Sequence, residues 1–186
     1  LNKWERYDQG DGRNFVKLTQ AVTFSYDSDS DHKDKAETYG WNDESRNLSD
    51  RAEWGEVTGS DDGTFADVGS DKRTTVFSYA TSTDVTGLVA QESTRNYAGL
   101  TTKDTINYYD TLSFGSVDKG NETKQEQWVS DATYIDTERT YNSYGLVTQD
   151  KDPRDKATNY IYDWRNLYQA TTTNPKGHIT ERYFDY

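Results

Sequence analysis

Histidine, cysteine and carboxylate side chains are residue types that proteins often use to catalyse reactions or to bind metal ions. This chain of 186 residues can draw only on its histidines and carboxylates. The chain contains no cysteine, which excludes a Cys–His pair, disulfide bonds and thiolate metal sites. Its two histidines are His32 and His178, and composition leaves a Ser–His–Asp triad open, but no Gly-x-Ser-x-Gly elbow is present. His178 stands at the start of a predicted strand, and we interpret it as a residue that flanks a turn.

Acidic residues are abundant, but their spacing does not match familiar acid chemistry. An aspartic dyad needs two carboxylates on strained turns, usually Asp-Thr-Gly or Asp-Ser-Gly. The Asp-Thr steps at Asp104, Asp110 and Asp136 lack the glycine. Residues 27–31 read DSDSD and resemble the start of an EF-hand loop, but the sixth and twelfth positions carry His and Thr instead of Gly and Glu. We interpret this stretch as a solvated acidic loop, with an irregular Ca²⁺ site as the alternative, and predict no catalytic residue, cofactor or metal site.

The composition favours β structure and excludes two classes of partner. A net charge of −12 disfavours nucleic acid and anionic membrane surfaces, because binding to either needs a basic face on the protein. Hydrophobic residues are only 31 % of the chain, but aromatic residues reach 14 %, which argues against disorder. Tyr, Trp, Thr and Val suit strands with one dry and one wet face. No apolar run approaches the roughly 20 residues of a membrane helix, so we predict no membrane insertion.

A repeat near the C-terminus organises the elements that would position these side chains. Three pairs of like residues recur at an interval of 22: Pro153 with Pro175, Thr158 with Thr180, and Asp163 with Asp185. Tyr141 and Tyr162 are 21 residues apart, which indicates a one-residue insertion in one unit, and a β-bulge can absorb such an insertion. Each unit therefore predicts about two strands and two turns.

The strands and turns of these units follow from their turn residues. Turns are predicted at 143–145, at 164–166, and at the Asp-Pro and Asn-Pro steps, since Pro presets φ and Asx accepts a local hydrogen bond. The strands between them are predicted at 146–150, 158–162, 167–173 and 178–184. Alternation places Thr158, Tyr160 and Tyr162 on one face, and Thr180, Arg182 and Phe184 on the matching face of the next unit. We expect equivalent positions to be near neighbours that form a ladder of aromatic and β-branched pairs.

Segments with a weaker similarity to the repeat unit occur before residue 139. Gly-x-Val steps begin at Gly55, Gly87, Gly115 and Gly145, and turn clusters separate short runs that end in aromatic residues. This pattern predicts an antiparallel meander without a domain boundary. Residues 27–53 are charge-dense and poor in glycine, and we expect a long loop or one short helix there. Because methionine is absent even at position 1, we expect a processed product or a fragment of a longer chain.

The stretch TYNSYGLVTQDKDPRDKATNYIYD, residues 140–163, resembles the YD repeat of RHS-repeat proteins. The clear resemblance covers residues 139–186, and residues 1–138 are similar to the divergent β-rich region that precedes the regular repeats in RHS proteins and in the B components of bacterial insecticidal toxin complexes. The chain departs from the pattern where the Gly-Arg step reads Gly-Leu or Asn-Leu, and where the first copy lacks the glycine after Asp-Pro. The positions that carry the resemblance are Tyr141, Gly145, Leu146, Pro153, Thr158, Tyr160, Tyr162, Asp163, Leu167, Pro175, Gly177, Thr180, Phe184 and Asp185.

The resemblance implies a fold and a role. YD repeats in that family build a wide β-sheet that spirals into a hollow shell around a C-terminal effector, commonly a toxin. The expected fold is therefore all-β, part of such a shell, and the expected function is non-enzymatic containment in a secreted or surface bacterial protein. The expected partners are flanking repeats or further copies of the chain, together with the enclosed effector. Two alternatives stay open, a surface adhesin or carbohydrate-binding module with a glycan as partner, and a hydrolase that uses acidic pairs.

Overall fold

The computed structural model describes residues 1–8, 10, 12–26 and 32–185, with the backbone alone for His32. The acidic stretch 27–31, for which a Ca²⁺ site was the alternative interpretation, lies outside these residues. In the described part of the chain the regular structure is β throughout, without a helix. The strands are β1 (Asn2–Asp8), β2 (Asn14–Tyr26), β3 (His32–Trp41), β4 (Leu48–Gly59), β5 (Phe65–Asp67), β6 (Arg73–Ala80), β7 (Leu88–Asn96), β8 (Thr101–Tyr109), β9 (Glu122–Ser130), β10 (Thr133–Tyr141), β11 (Val147–Lys151), β12 (Ala157–Tyr162), β13 (Gln169–Thr173) and β14 (Ile179–Glu181).

The strands hydrogen-bond in chain order, so the sheet is a meander. Apart from β5, which pairs with β4 at the side, each strand lies next to the strand that precedes it and the strand that follows it in sequence. Neighbouring strands run antiparallel, as in β10 with β11 and β12 with β13. The strand order is open, with β1 at one end and β14 at the other. The predicted all-β antiparallel meander is confirmed.

The chain folds as two compact units. The first unit comprises Leu1–Ser78 and Gln91–Asp104. It contains a dry cluster of Val22, Ala36 and Val57, which pack against Phe24, Trp54 and Phe65. The indole of Trp54 meets the ring of Phe65 edge-on, with 5.4 Å between their centroids. This cluster is the hydrophobic core of the first unit.

The second unit comprises Tyr79–Ala90 and Thr105–Tyr186. Its dry cluster consists of Ala80, Ala90, Tyr109 and Val117, with Val85 and Leu88 packed against it. No described residue after Val117 is fully buried. The strands β11 and β13 are half-buried at every position, and β12 alternates between exposed and half-buried side chains from Thr158 onward. The C-terminal strands therefore lack a dry core of their own.

The expectation of a loop or short helix over residues 27–53 is wrong for residues 32–41 and 48–53, whereas residues 42–47 form a turn between two strands. Residues 32–41 form β3 and residues 48–53 belong to β4. The charges alternate with buried positions, since Lys33 and Lys35 are exposed whereas Asp34 and Ala36 are buried. Asp34 tolerates burial because its carboxylate accepts the Gly59 N–H at 2.8 Å. The high charge density of this segment obscured the alternation of exposed and buried residues that is typical of a β-strand, so the sequence did not reveal β3.

Two predicted strands are shorter than expected. β13 begins at Gln169 rather than residue 167, because the Asp163 N–H bonds to the Tyr168 carbonyl at 2.8 Å and lengthens the preceding turn. β14 ends at Glu181 rather than residue 184, and Phe184 instead stacks on Tyr168 with 4.6 Å between ring centroids. β13 therefore loses residues to the turn before it, and β14 loses residues to an irregular segment after it.

The expected ladder of equivalent residues is displaced. Tyr160 pairs with Thr172, and Thr172 pairs with Thr180. Thr180 thus lies level with Tyr160 rather than with its sequence equivalent Thr158, although an offset of two residues keeps the same face. The register shift between Ile161 and Tyr162 supplies one of these two residues.

Candidate functional site

A five-residue hairpin turn recurs along the sheet, and the loop Asn142–Leu146 shows its geometry. The Asn142 N–H bonds to the Leu146 carbonyl at 2.9 Å, and the Gly145 N–H bonds to the Asn142 carbonyl at 3.0 Å. The Oδ1 atom of Asn142 accepts the backbone N–H groups of Tyr144 and Leu146 at 3.0 and 3.1 Å. One amide side chain therefore satisfies turn donors that would otherwise need water.

The same backbone bonds occur in four other turns, in both units. These turns are residues 60–64, 96–100, 152–156 and 174–178. Asn96, Asp152 and Asn174 each cap two N–H groups of their own turn, as Asn142 does. In the turn of residues 163–168, which is one residue longer, Asp163 accepts the N–H groups of residues 165, 167 and 168 at 2.7 to 3.2 Å. An Asx residue at the first position is thus common to these turns except for residues 60–64, where Ser60 takes that place.

The fourth residue of each turn adopts the left-handed backbone conformation. Gly145 and Gly177 have φ values of 77° and 80°, which glycine adopts without steric cost. At the equivalent positions of the other copies, Asp155 has φ of 59° and Asn166 has φ of 55°. Asp and Asn are the residues other than glycine that best tolerate this region. Asp155 therefore replaces glycine within the same five-residue turn, and Asn166 adopts the same left-handed conformation within a turn that is one residue longer.

An aromatic residue closes the strand before several of these turns. Tyr141 ends β10 and donates its hydroxyl to the Glu122 carbonyl of β9 at 2.7 Å. Tyr162 ends β12 and donates to the Val147 carbonyl of β11 at 3.0 Å. Each ring reaches back to the strand that precedes its own, and each stands at a register shift with the strand that follows. The closing ring therefore ties three consecutive strands together at an irregular point of the ladder.

Two closing aromatics occur outside the predicted repeats. Tyr109 ends β8 and donates to the Val89 carbonyl of β7 at 2.8 Å, and Trp41 ends β3 and donates to the Leu18 carbonyl of β2 at 2.8 Å. Both stand at register shifts. Sequence reasoning included Tyr109 among the aromatic strand ends but missed Trp41, although an Asx residue follows it as in the other cases.

A charged ladder crosses the sheet beside Tyr141. The Arg139 guanidinium donates to Glu122 at 2.7 Å and to Asp150 at 3.0 Å. The Tyr160 hydroxyl donates to the other carboxylate oxygen of Asp150 at 3.0 Å. Burial and the hydrogen bond to Asp150 raise the pKa of Tyr160 above its ordinary value. The phenol thus stays a donor, and the ladder links β9, β10, β11 and β12 through side chains.

Asp110 organises the longest loop of the second unit, which joins β8 to β9. Its carboxylate accepts four backbone N–H groups, those of Asp118, Lys119, Gly120 and Asn121, at 2.8 to 3.1 Å. Desolvation opposes ionisation, but the four donors together lower the pKa of Asp110 below its ordinary value of 3.8. The ionised group therefore stabilises the fold above that pH, and this contribution is lost as the pH falls through the lower pKa of the folded state.

The structure places the predicted repeat positions as follows. Tyr141 ends β10, and Gly145 and Leu146 lie in the turn after it. Pro153 lies in the turn between β11 and β12, and Pro175 and Gly177 lie in the turn between β13 and β14. Asp163 and Leu167 lie in the turn between β12 and β13. The remaining positions are Thr158, Tyr160 and Tyr162 in β12, Thr180 in β14, and Phe184 and Asp185 after β14. Their role as repeat positions stays a prediction.

Sequence reasoning missed one turn that its own pattern could have found. Residues 96–100 read NYAGL and residues 142–146 read NSYGL, with the same Asn, Gly and Leu positions. Both segments form the five-residue turn, and Asn96 caps the N–H groups of Ala98 and Leu100 at 3.0 Å. The shared pattern Asn-x-x-Gly-Leu was the available signal.

The residues considered for chemistry have structural partners. The backbone N–H of His178 donates to Asn174 Oδ1 at 3.0 Å, within the turn that His178 closes. Asp104 accepts the Gln91 amide at 3.0 Å, and Asp136 forms an ion pair with Lys124 at 3.3 Å. Among the described residues no group of three or more His, Asp or Glu side chains is placed to hold a metal ion. The described chain also offers no helix with the length and apolar character that crossing a membrane requires.

No protein-family model and no curated protein matches the chain. Among solved structures, the fold is similar to the crystal structure of TcdB2-TccC3, with a TM-score of 0.51 at 11 % identity over 99 % of this chain. It is also similar to TcdB2-TccC3-Cdc42, with a TM-score of 0.52 at 10 % identity over 99 % of this chain. The chain covers 15 % and 14 % of those two chains. At these identities the likeness shows the fold, an open antiparallel meander of strands shared with part of a much longer protein.

Proposed function

We propose that the chain is a structural YD-repeat segment of a β-sheet shell, in a secreted or surface bacterial RHS-like protein, and that it helps to enclose a C-terminal effector. The mechanism is containment, because a continuous sheet isolates a guest from solvent and proteases. Residues 139–186 supply two repeats, and residues 1–138 supply a divergent region of the same sheet. The fold similarity to TcdB2-TccC3 supports this proposal at the level of the fold.

The observation that carries the proposal is the repetition of one unit, two strands joined by Asx-capped turns, without a core of its own. Strands β10 to β14 have no fully buried residue, and three of their four connecting turns share one set of hydrogen bonds. A unit of this kind gains stability from its neighbours on both sides, as repeats in solenoid proteins do. It therefore suits a long sheet better than a self-contained binding domain.

β14, the last strand in the order, has an outer edge with which a further repeat could pair. β14 has no second strand partner among the described residues, and all three of its residues are exposed. The Arg182 N–H bonds to the Ala170 carbonyl at 2.8 Å, so Arg182 and, two residues earlier, Thr180 direct their backbone groups toward β13. The backbone groups of Ile179 and Glu181 alternate with these and point away from β13. The next repeat would pair with this outer edge.

Pairing at the outer edge of β14 can be blocked without loss of the hydrogen bonds between β13 and β14. Glu181→Pro removes an outward N–H and leaves the inward bonds of β14 intact, because proline is tolerated at sheet edges. We expect the wild-type chain to self-associate with a mass that rises with concentration in light scattering, and Glu181→Pro to have a smaller mass. Glu181→Ala is the matched control, since it keeps the N–H and should associate like the wild type. A wild-type chain that is a compact monomer with a two-state melt would contradict the proposal.

Containment is tested separately by the rest of the open reading frame. Further YD units followed by a short variable domain are expected beyond this chain. In the full-length protein, protease should spare that variable domain as long as the sheet is intact. A reading frame without further units, or a C-terminal domain that is digested at the rate of an exposed tail, would overturn the enclosing role.

Exposed aromatic side chains favour one second candidate, a glycan-binding surface of an adhesin. Tyr144 and Trp164 lie in the turns after β10 and β12 with 71 % and 75 % of their surfaces exposed, and Tyr183 follows β14 with 89 % exposed. The turns after alternate strands of a meander lie at the same edge of the sheet, so these rings form one row. Specific binding on a glycan array that Trp164→Ala abolishes would favour this function, and an array without binding would remove it.

A further inference from the structure

A polar cleft in the first unit has the features of a ligand site that neither function above uses. Its volume is about 670 Å³, within the range of small-molecule sites. Its walls and floor are formed by β4, by the segment before β6, and by β6, β7 and β8. The lining residues that matter for recognition are four cations, Arg51, Lys72, Arg73 and Lys103, and three carboxylates, Glu53, Asp71 and Glu92.

The three carboxylates already have partners, whereas part of the positive charge does not. Glu53 binds the Arg51 guanidinium at 2.9 Å, and Glu92 binds Lys103 at 3.0 Å. Asp71 accepts the backbone N–H of Glu56 at 3.0 Å. The carboxylates are therefore engaged before any ligand arrives.

Two of the cations lack a carboxylate within ion-pair distance among the described residues. The Lys72 ammonium lies 3.7 Å from the centroid of the Trp54 indole, a cation–π contact that leaves its three N–H donors unpaired by an anion. Arg73 is exposed at the cleft and has no ion pair, although Glu53 is its partner in the strand register. The Nε atom of Arg51 is buried without a hydrogen-bond acceptor. The cleft thus has donor capacity in excess of its acceptors.

The remaining surface of the cleft is hydroxyl and amide rather than apolar. Thr75, Thr94, Thr102, Ser70 and Asn96 contribute to the lining. The Thr75 hydroxyl is hydrogen-bonded to the Thr94 hydroxyl at 3.0 Å. Hydroxyl and amide groups both donate and accept hydrogen bonds, so they match the hydroxyl groups of a sugar.

We propose that this cleft binds an acidic sugar, with the sugar carboxylate at Lys72 and Arg73 and the sugar hydroxyls on the threonine side. Four cations against three carboxylates leave an excess of one positive charge, which matches a monocarboxylate better than a phosphate dianion. The planar guanidinium of Arg73 can bind a carboxylate through two parallel hydrogen bonds. A zwitterionic ligand fits less well, because Glu53 and Glu92 are already ion-paired and one Asp71 oxygen already accepts the Glu56 N–H.

A neighbouring cleft adjoins the site. It has a volume of about 430 Å³ and shares Glu53, Asp71 and Arg73 with the first cleft. Arg73 therefore borders both clefts, which would place a bound carboxylate at their junction. This second cleft is lined by two cations, Lys35 and Arg73, and three carboxylates, Glu37, Glu53 and Asp71, so a second acidic ring is disfavoured there and the expected ligand is a single acidic sugar.

The experiment is a titration of the isotope-labelled chain with glucuronate, followed by amide chemical shifts. Saturable shifts are expected at Arg73 and Thr94, and glucose and inorganic phosphate are expected to bind at least about tenfold more weakly, the loss of roughly one charged hydrogen bond. Binding of glucose as tight as that of glucuronate, tighter binding of phosphate, or shifts without saturation would each overturn the proposal.

Variants separate the site from general charge effects. Arg73→Gln is expected to weaken glucuronate binding about tenfold or more, and Lys72→Gln is the second variant if the first does not fold. Lys176→Gln removes the same charge from the turn between β13 and β14, and it should bind glucuronate like the wild type. Unchanged binding by Arg73→Gln or Lys72→Gln, or an equal loss in Lys176→Gln, would contradict the assignment. None of these outcomes depends on whether the sheet encloses an effector.

Discussion

The two halves of this sheet are stabilised by different means. Every fully buried residue that the structure describes lies at or before Val117, and the buried hydrophobic residues other than Ala52 belong to the clusters around Val22 and Tyr109. Residues 118–185 contain none, yet they form β9 to β14 with the same strand pairing. The comparison teaches that regular antiparallel pairing here does not require a dry core. In the C-terminal strands, capped turns, closing aromatics and polar ladders must supply the specificity that burial supplies earlier in the chain.

The ion pairs of the C-terminal strands are weak candidates for the main stabilising force. Lys151 pairs with Glu138 and with Asp155 at 3.1 Å, but all three side chains are at least one-third exposed. Exposed pairs contribute roughly 0 to 1 kcal/mol each and are screened by salt. The turns and closing rings bind backbone groups directly, and each of their hydrogen bonds contributes about 1 kcal/mol. The core, a turn cap, a closing ring and a turn backbone are therefore expected to contribute more to stability than these ion pairs.

The largest effect is expected from the core of the first unit. Val22→Ala removes two methyl groups from a fully buried side chain and should lower the free energy of unfolding by about 2 kcal/mol. Ile161→Ala is the matched variant in the C-terminal strands, where the side chain is 62 % exposed, and it should cost less than about 0.5 kcal/mol. Urea denaturation measures both. Equal losses would mean that the two regions do not differ in the way described.

A turn cap should have the next largest effect. Asp163→Ala removes the acceptor of three backbone N–H groups and should destabilise the C-terminal strands by about 1.5 kcal/mol. Asp163→Asn keeps the Oδ1 acceptor of the Leu167 and Tyr168 N–H groups and loses only the 3.2 Å bond from Arg165, so it should cost much less than Asp163→Ala. Hydrogen exchange of the Leu167 and Tyr168 amides reports the change locally. Unchanged protection in Asp163→Ala would show that water replaces the cap without loss.

Removal of one closing hydroxyl should have a smaller effect. Tyr141→Phe leaves the Glu122 carbonyl without its side-chain donor at a cost of about 1 kcal/mol, seen as a lower midpoint of urea denaturation. Tyr144→Phe is the control, because Tyr144 is 71 % exposed and its hydroxyl has no hydrogen-bond partner among the described residues. If both variants unfold like the wild type, the closing ring acts through packing alone.

The smallest effect is expected from the turn backbone, and it has the opposite sign. Asp155→Gly relieves the left-handed conformation at φ of 59° and should stabilise the chain by about 0.5 kcal/mol, after loss of the exposed ion pair with Lys151. Gly177→Ala is the reciprocal change and should cost about 1 kcal/mol by thermal or urea denaturation. No atom lies within 4 Å of a Cβ at Gly177, so the cost there comes from the backbone alone. A stable Gly177→Ala variant would show that the turn relaxes.

Sequence reasoning located the C-terminal strands to within a few residues, because Pro, Gly and Asx residues determine where a turn begins. β11 was predicted at 146–150 and runs from Val147 to Lys151, and β12 was predicted at 158–162 and runs from Ala157 to Tyr162. The pairing register of these strands was harder to predict from the sequence. It depends on bulges such as that between Ile161 and Tyr162, which shift a strand by a residue without a distinctive local sequence.

Other features were hidden for different physical reasons. β3 was missed because buried Asp34 reads as polar in the sequence, and its partner, the N–H of Gly59, is distant along the chain. The cleft at Arg73 was not predictable, because its lining comes from strands that are brought together only by the meander. Left-handed Asp155 and Asn166 were unrecognised, because the pattern sought glycine where several residue types serve.

A Tyr-Asx step stands at the end of the alternate strands β8, β10 and β12, and this recurrence has an evolutionary consequence. Excision of residues 142–162 would join Tyr141 to Asp163 and so restore the same step. The removed segment contains β11 and β12, an even number of strands, so the chain would continue in its former direction and enter β13 as before. Gene duplication of such a segment would likewise lengthen the sheet without redesign. The number of units in proteins built this way is therefore free to vary by unequal crossing-over, while each turn keeps its chemistry.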